Sequence, residues 1–171
     1  MKIVAIEGID NAGKTTICKE IQNYFKDDKR VFCSYEFDSD IGQYINENIS
    51  SFSSMEKTLL FACDRALRWE KLKQYDVVVF DRYIYSSYVY REMEKEDIVW
   101  VKEVNKKFNL PDLNVYVDVT LDEVVRRDGY IPYSMEELAQ CRKIYLNYVE
   151  KKELIKYKGL EWLISEIKKL L

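Results

Sequence analysis

The sequence has 171 residues, a formal net charge of −3, 47% hydrophobic residues and 33% charged residues. This balance is typical of a folded globular protein, and the length suits one domain built around a sheet. A slightly acidic chain offers no basic surface for a nucleic acid polymer or an anionic membrane, and no run of about 18 apolar residues could cross a bilayer. Because the chain starts with a strand-like segment and not with a signal peptide, we expect a cytoplasmic protein.

Short apolar segments alternate with longer helical ones along the chain. Strands are predicted at 3–6, 31–34, 77–80 and 115–119, with a short fifth strand at 154–157. Helices are predicted at 14–27, 41–50, 54–74, 96–108, 121–128, 135–151 and 159–169, and a Ser53–Glu56 capping box marks the start of the third helix. This order predicts an α/β fold in one domain over residues 1–171, with a parallel sheet flanked by helices on both faces.

Histidine is absent and the four cysteines are scattered, which limits the possible chemistry. Without histidine the chain lacks Ser–His and Cys–His nucleophile pairs and the usual zinc sites. Cys18, Cys33, Cys63 and Cys141 show no C-x-x-C spacing, so we expect reduced and buried thiols. Catalysis must then use carboxylates, lysine, arginine, hydroxyls, backbone amides or a bound metal ion.

A phosphate-binding loop follows the first strand. The segment EGIDNAGKTT contains G-x-x-x-x-G-K-[ST] between a predicted strand and a predicted helix, where backbone N–H groups can surround phosphates. Lys14 would bridge the β- and γ-phosphates and Thr15 would bind Mg²⁺. The predicted ATP contacts are Gly8, Ile9, Asp10, Asn11, Ala12, Gly13, Lys14, Thr15 and Thr16. The chain has no guanine-binding N-K-x-D motif and is small for a motor or transporter, which favours a small-molecule kinase.

A second charged site follows the third strand. Asp81 and Arg82 come at the C-terminal end of that strand, where open α/β sheets bind their ligands. Asp81 can hold Mg²⁺, and Arg82 can hold a second anion with its permanent charge. A local ion pair between the two residues is the structural alternative.

The predicted helix 54–74 has two different faces. Phe61, Arg65 and Arg68 lie together on one face, and an aromatic ring beside arginines suits a flat base and its phosphate. A dimer contact or a solvated arginine face would explain the same pattern. The apolar arc roughly opposite, predicted to face the core, consists of Leu59, Cys63, Ala66 and Leu67.

Together these motifs resemble the thymidylate kinase family. EGIDNAGKTT, LLFACDRALRWE, DRYIYSSYVYR and LPDLNVYVDVT occur in that order over residues 1–127, and CRKIYLNY continues the likeness loosely. The resemblance implies a phosphate-loop kinase fold with a five-stranded parallel sheet. It also implies transfer of the γ-phosphoryl group of ATP to dTMP, with Mg²⁺ as cofactor, by a homodimer.

The resemblance further implies roles for single residues. Asp10 would bind the sugar 3′-hydroxyl, Arg82 would hold the dTMP phosphate, and Asp81 would support the metal. Phe61 would stack on the thymine, and Arg65 would contact the polar edge of the base. The other implied acceptor contacts are Glu36, Phe37, Ser86 and Tyr90, with Tyr90 obstructing a 2′-hydroxyl. The sequence departs from the family at Tyr35 and Phe37, where arginine and proline are usual, and at Arg91, where glutamine is common.

The positive charge for catalysis is expected from a short lid at about residues 126–134. Some family members carry an arginine in the phosphate loop, where this chain has Asn11. The segment DEVVRRDGYIPYS after the fourth strand offers Arg126 and Arg127, with Arg142 further along as a reserve. We expect these two lid arginines to act with Lys14, Asp10 and Arg82 in catalysis. A solvated helix end, favoured by the helix dipole, is the structural alternative.

Two other functions stay open on sequence alone. A kinase of the same fold could use dUMP, another deoxynucleotide or a deoxynucleoside, and with a deoxynucleoside Glu36 would serve as the general base. The short lid would also suit a nucleotide-binding regulator that does not catalyse transfer.

Overall fold

The computed structural model describes residues 1–127, 129 and 131–171, which contain one parallel sheet of five strands. The strands are β1 (Lys2–Glu7), β2 (Val31–Ser34), β3 (Val77–Asp81), β4 (Leu113–Tyr116) and β5 (Ile155–Lys156), in the spatial order β2-β3-β1-β4-β5. All four neighbouring pairs are parallel. The predicted α/β fold with a five-stranded parallel sheet is therefore confirmed.

Helices connect the strands. They are α1 (Lys14–Tyr24), α2 (Asp40–Asn48), α3 (Ser54–Leu72), α4 (Ile84–Met93), α5 (Ile98–Asn105), α6 (Leu121–Arg126), α7 (Met135–Glu150) and α8 (Leu160–Leu170). Each of the seven predicted helices is present with slightly different ends, and the capping box at Ser53 and Glu56 is formed. Helix α4 was not predicted, because eight of its ten residues are buried and no polar face gives it a helical period. Among the described residues, no helix combines the length and hydrophobicity that crossing a bilayer requires.

The strand order determines at which end of which strands a ligand can bind. The chain passes from central β1 to the β2 edge and later from β3 to β4 on the other side of β1. Right-handed crossovers in these two directions place their helices on opposite faces of the sheet. In agreement, α1 packs on β1, β2 and β3 and contacts α8, whereas α3, α4, α5 and α7 form a second connected group. The crevice at the C-terminal ends of β1, β3 and β4 is thus the point at which the strand order reverses, where ligands bind in such sheets.

The core lies on the two central strands. The side chains of Ile3–Ile6 in β1 and of Val77–Phe80 in β3 are at most 1% exposed. Strands covered on both faces explain the unbroken apolar runs in the sequence. Each fully buried aliphatic side chain contributes about 1.5–3 kcal/mol to stability, so these strands are a rigid base for the loops at their ends.

The predicted orientation of α3 is wrong. Leu59 and Leu67 are 48% and 57% exposed, and Cys63 and Ala66 are exposed beside them. The opposite face is the buried one, and Arg65 on it is only 6% exposed. Hydrogen bonds to buried partners make this burial of a charge possible. Buried thiols are confirmed for Cys18, Cys33 and Cys141, and the same prediction is wrong for Cys63.

Candidate active site

The phosphate loop joins β1 to α1 as predicted. Gly13 has φ +94°, a left-handed conformation that glycine adopts without strain, and it directly precedes α1. The Lys14 side chain folds over the loop, where its Nζ donates a hydrogen bond to the Ile9 carbonyl at 2.7 Å. Burial, together with the charge of Arg82, lowers the pKa of Lys14 to about 8. A bound phosphate would favour its charged form again.

The other predicted ATP contacts surround this lysine. Gly8, Ile9 and Ala12 are buried, Asp10 and Asn11 are half-buried, and Thr15 and Thr16 are exposed in the first turn of α1. The exposed helix N-terminus and the loop amides beside it form the arrangement that binds phosphate anions in proteins.

Thr15 in the first turn of α1 and Asp81 at the end of β3 form an oxygen pair. The register pairs Ile6 with Asp81, and the Thr15 hydroxyl donates a hydrogen bond to Asp81 Oδ2 at 2.5 Å. Within the described ranges, no three acidic or cysteine side chains cluster closely enough to hold a metal alone. Mg²⁺ commonly takes one or two protein oxygens together with substrate phosphates and water. The donor set at Thr15 and Asp81 therefore fits this ion.

Arg82 is the centre of the site. Its backbone has φ +66°, a left-handed conformation that costs a non-glycine residue about 1–3 kcal/mol. Its Nη1 donates to the Gly8 carbonyl at 2.9 Å, its Nη2 donates to Asp10 Oδ1 at 2.8 Å, and its Nε lies 3.0 Å from Glu36 Oε2. Arg82 thus pairs with two carboxylates across the pocket. The alternative considered from the sequence, a local ion pair between Arg82 and its neighbour Asp81, is wrong.

The two carboxylates on Arg82 differ in proton affinity. Burial raises the pKa of Asp10, but the charges of Arg82 and Lys14 and a 2.6 Å hydrogen bond from Tyr90 Oη outweigh it, so this pKa is lowered. Burial raises the pKa of Glu36 to about 7, against the effect of Arg82 and with a contribution from nearby carboxylates. Asp10 is therefore ionised at neutral pH, whereas Glu36 titrates there.

An open pocket extends from Arg82, with about 920 Å³ of space including the part open to solvent. Aromatic rings and a few charged and polar groups line it together, which is typical of a small-molecule site. The rings of Phe37 and Phe61 lie 6.1 Å apart in its wall. All eight predicted acceptor residues line the pocket, namely Asp10, Glu36, Phe37, Phe61, Arg65, Arg82, Ser86 and Tyr90.

Arg65 is fixed in the pocket wall by α5 and α4. Its Nη1 donates to Asn105 Oδ1 at 2.6 Å, its Nη2 donates to Ser87 Oγ at 3.1 Å, and its guanidinium lies 5.2 Å from the ring of Tyr83. Asn105 is 1% exposed, and its role is not predictable from sequence because an asparagine near a helix end is common. These contacts hold the arginine in one orientation.

Ser86 and Tyr90 occupy successive turns of α4. The Ser86 hydroxyl donates to Glu7 Oε2 at 2.5 Å, and Glu7, which is fully buried at the end of β1, also accepts a hydrogen bond from the Tyr83 backbone N–H. Glu7 therefore fixes the start of α4 against β1. The sequence analysis missed this residue, although a carboxylate at the end of an apolar strand is a usable signal.

Of the three candidate catalytic arginines, Arg127 reaches the phosphate loop. Its Nη1 donates to the Asn11 carbonyl at 2.6 Å. Arg126 is exposed at the end of α6, and Arg142 pairs with Asp118 at 2.8 Å. Two residues of the predicted lid and helix end, 128 and 130, lie outside the described residues.

Further pocket residues were not predicted. They are Asn46, Ile49, Asp64, Tyr83, Ser87, Arg91, Pro132 and Tyr133. Arg68 lines the pocket as well, in agreement with its predicted position beside Phe61 and Arg65, whereas the sequence indicates Arg91 only as a departure from the family. Ser87 and Arg91 belong to the unpredicted helix α4, whereas Pro132 and Tyr133 come from the lid, whose folded path no local pattern indicates.

A phosphate loop and the Arg82 guanidinium meet at the switch point of a parallel sheet, where Asp10 of the loop is bonded to Arg82 and lines the same pocket. This arrangement places the protein in the class of phosphate-loop kinases that act on small molecules. The sequence profile described as thymidylate kinase matches residues 6–169, and the chain thus belongs to the thymidylate kinase family.

Individual relatives agree with this assignment. The chain is 29% identical over 161 residues to a probable thymidylate kinase of Methanococcus aeolicus, covering 88% of this chain and 81% of that protein. It is 32% identical over 155 residues to the probable thymidylate kinase 1 of Saccharolobus solfataricus, covering 85% and 82%. The crystal structure of thymidylate kinase from Ehrlichia chaffeensis superposes with a TM-score of 0.77 at 19% identity and covers 97% of both chains, which shows the shared fold.

Proposed function

We propose that this kinase transfers the γ-phosphoryl group of ATP to dTMP and releases ADP and dTDP. The observation that carries the proposal is the position of Arg82, whose side chain is 9% exposed, pairs with Asp10 of the phosphate loop and lines a pocket with aromatic walls. A cation there suits an acceptor that already bears a phosphate. The names of the relatives support dTMP as that acceptor.

On the donor side, the loop amides and Lys14 would hold the phosphates of ATP, and Thr15 and Asp81 would hold Mg²⁺. When bound, this ion would neutralise charge on the β- and γ-phosphates. Arg127 lies against the loop and would meet the charge that develops during transfer, with Arg126 in a supporting role. The chemistry then depends on positioning and electrostatics, which needs no histidine.

On the acceptor side, Arg82 would exchange Glu36 for the dTMP phosphate. This phosphate needs no general base, because a phosphate monoester with a second pKa of about 6 is already ionised at neutral pH. Phe61 would stack on the base, Arg65 would bind its polar edge, and Tyr90 with Asp10 would face the sugar. Glu36, Phe37 and Ser86 would complete the acceptor site.

A deoxynucleoside kinase is the second candidate, and the pKa of Glu36 favours it. A carboxylate with a pKa of about 7 is well matched to removing a proton from a 5′-hydroxyl. Without an acceptor phosphate, however, Arg82 would have no substrate group to bind. Turnover with thymidine and with dTMP distinguishes the two.

The exposed face of α3 supports a homodimer. Met55, Leu59 and Leu67 are 54%, 48% and 57% exposed at helical spacing on one side of the helix. We infer that a second copy covers this face about a two-fold axis, since the same apolar stripe is then self-complementary. We also propose a cytoplasmic location, one domain over residues 1–171, and small molecules as the substrates.

The variant Arg82→Ala tests the proposed function. We expect a strongly raised KM for dTMP and little change in the KM for ATP, because only the acceptor phosphate loses its cationic partner. Steady-state kinetics with each substrate varied in turn gives both values. Equal effects on the two substrates would contradict the assignment of Arg82 to the acceptor.

A further inference from the structure

The left-handed backbone of Arg82 lies between two hydrogen bonds to the end of β1. The N–H of Arg82 donates to the Ile6 carbonyl at 3.0 Å, and the N–H of Tyr83 donates to Glu7 Oε1 at 3.0 Å. The first bond joins backbone atoms, whereas the second depends on a side chain. A strained conformation persists only where surrounding contacts enforce it. The φ of +66° at Arg82 therefore depends in part on Glu7.

Glu7 is a buried carboxylate that the proposed chemistry does not use. It is 0% exposed and directly precedes the phosphate loop. Its Oε2 accepts hydrogen bonds from Ser86 Oγ at 2.5 Å and from Tyr145 Oη at 3.2 Å. Together with the Tyr83 N–H, these donors supply both oxygens with the partners that a buried carboxylate requires. The carboxylate is thus held in one orientation, with Oε1 on Tyr83.

The same backbone directs the side chain of Arg82. Its Nη1 donates to the Gly8 carbonyl at 2.9 Å and to Ser86 Oγ at 3.3 Å. Its Nη2 donates to Asp10 Oδ1 at 2.8 Å. A return of Arg82 to the negative φ usual for a non-glycine residue would carry its Cβ away from these partners, because β3 before it stays fixed. The position of the guanidinium therefore follows from the backbone conformation.

We propose that Glu7 is a positioning residue for the acceptor site: by binding the Tyr83 N–H, it holds Arg82 in the conformation that presents its guanidinium to the acceptor phosphate. The inference rests on the proposed function, because the acceptor phosphate is the ligand of Arg82 only in that reaction. The interaction requires an oxygen at this distance from β1 and not a negative charge, since a carboxylate or an amide oxygen can accept the N–H.

Variants of Glu7 separate reach from charge. Glu7→Gln keeps the length and an acceptor oxygen, so kcat/KM for dTMP should stay within about threefold of wild type. Glu7→Asp keeps the charge but is one methylene shorter, and Glu7→Ala has no acceptor. Both should lower kcat/KM for dTMP about tenfold, which corresponds to the lower end of the usual cost of backbone strain. The KM for ATP at saturating dTMP should change less than about twofold, because Arg82 would bind only the acceptor.

A double-mutant cycle shows whether Glu7 acts through Arg82. In an Arg82→Ala background, Glu7→Asp should lower kcat/KM for dTMP no further, because the group that it positions is gone. Tyr145→Phe is the matched control, since it removes a hydrogen bond from Oε2 of the same carboxylate and leaves Oε1 on Tyr83. It should leave kcat/KM for dTMP nearly unchanged. Thermal unfolding of each variant shows that the rates are measured on folded protein.

Three results would overturn the inference. They are an unchanged kcat/KM for dTMP in Glu7→Asp, equal losses in Glu7→Gln and Glu7→Asp, and a tenfold loss that persists in the Arg82→Ala background. The failure of the proposed function is a different result, in which Arg82→Ala alone leaves kcat/KM for dTMP at the wild-type value.

Discussion

In the proposed reaction, Arg82 has to bind the protein's own carboxylates and the acceptor phosphate with the same guanidinium. Without a substrate phosphate it binds Asp10 and Glu36, whose combined charge exceeds its own. This excess of negative charge in a buried place favours protonation of one of the two carboxylates. Burial raises the pKa of Glu36, so the proton binds to Glu36. An incoming phosphate would displace Glu36 most easily when that carboxyl is protonated.

The KM for dTMP should accordingly depend on pH through Glu36. Below its pKa of about 7 Glu36 is neutral and releases Arg82, whereas above this pKa its carboxylate competes with the acceptor phosphate. We expect the KM for dTMP to rise between roughly pH 6.5 and 8.5, where the phosphate itself is already a dianion. Glu36→Gln should remove the rise, as measured by initial rates at saturating ATP. An equal rise in wild type and variant would show that another group is responsible.

The effect of removing Arg127 should fall on kcat. An arginine that meets charge developing in transfer stabilises the transition state more than the bound substrates. Arginine fingers contribute about 10³–10⁵ in rate, and we expect the lower end for Arg127→Ala in single-turnover transfer at saturating substrates. Arg127→Lys should rescue only part, because lysine lacks the planar fork.

Arg126→Ala is the matched control for this experiment, since Arg126 is the exposed neighbour. It should slow transfer much less than Arg127→Ala. A double variant that transfers at nearly the wild-type rate would rule out the lid arginines. The search would then move to Arg142, which would first have to leave Asp118.

At the level of elements, the sequence predicted those segments of the fold in which a local sequence pattern also forms part of the candidate site. The apolar run of β1, the glycine-rich loop and the start of α1 follow from residues that are consecutive in the chain. The same holds for β3 with Asp81 and Arg82 at its end. Eight acceptor residues predicted from the family resemblance meet in one pocket, to which the phosphate loop, the loop after β2, α3, the end of β3 and α4 all contribute.

The parts that the sequence did not predict depend on contacts between distant residues. In α3 the usual rule of apolar residues inside failed, because Arg65 is buried by Asn105, forty residues later in the chain. Helix α4 is buried on almost all sides and so shows no amphipathic period. Tyr133 enters the pocket only through the folded path of the lid, which no local pattern specifies.

The exposed apolar face of α3 predicts a change of oligomeric state on mutation. Leu59→Glu places a charge in the proposed two-fold contact, where desolvation and repulsion between copies oppose association. We expect wild type to have the mass of a dimer and Leu59→Glu that of a monomer in light scattering coupled to size-exclusion chromatography. Val99→Glu is the control, because Val99 on α5 is 72% exposed and lies outside the stripe. A monomeric wild type, or a Leu59→Glu variant that still dimerises, would contradict the proposed interface.

At the scale of the whole molecule, the sheet would set the distance between donor and acceptor in the proposed reaction. The phosphate loop follows β1 and Arg82 follows β3, and these strands are direct neighbours in register from Lys2 to Ile6. Two anions bound at their ends would be brought together by the most buried part of the protein. Such fixed proximity replaces a bimolecular encounter by an oriented complex, which is the main contribution a protein makes to phosphoryl transfer.

The most direct test of the account is ADP release from ATP and Mg²⁺ by the wild-type protein across a panel of acceptors. The panel contains dTMP, dUMP, dCMP and thymidine, with the phosphorylated product quantified beside ADP. The account predicts acceptor-dependent release with one dTDP formed per ADP, and the highest kcat/KM for dTMP. ATP binding without ADP release for every acceptor, or faster turnover of thymidine than of dTMP, would contradict it.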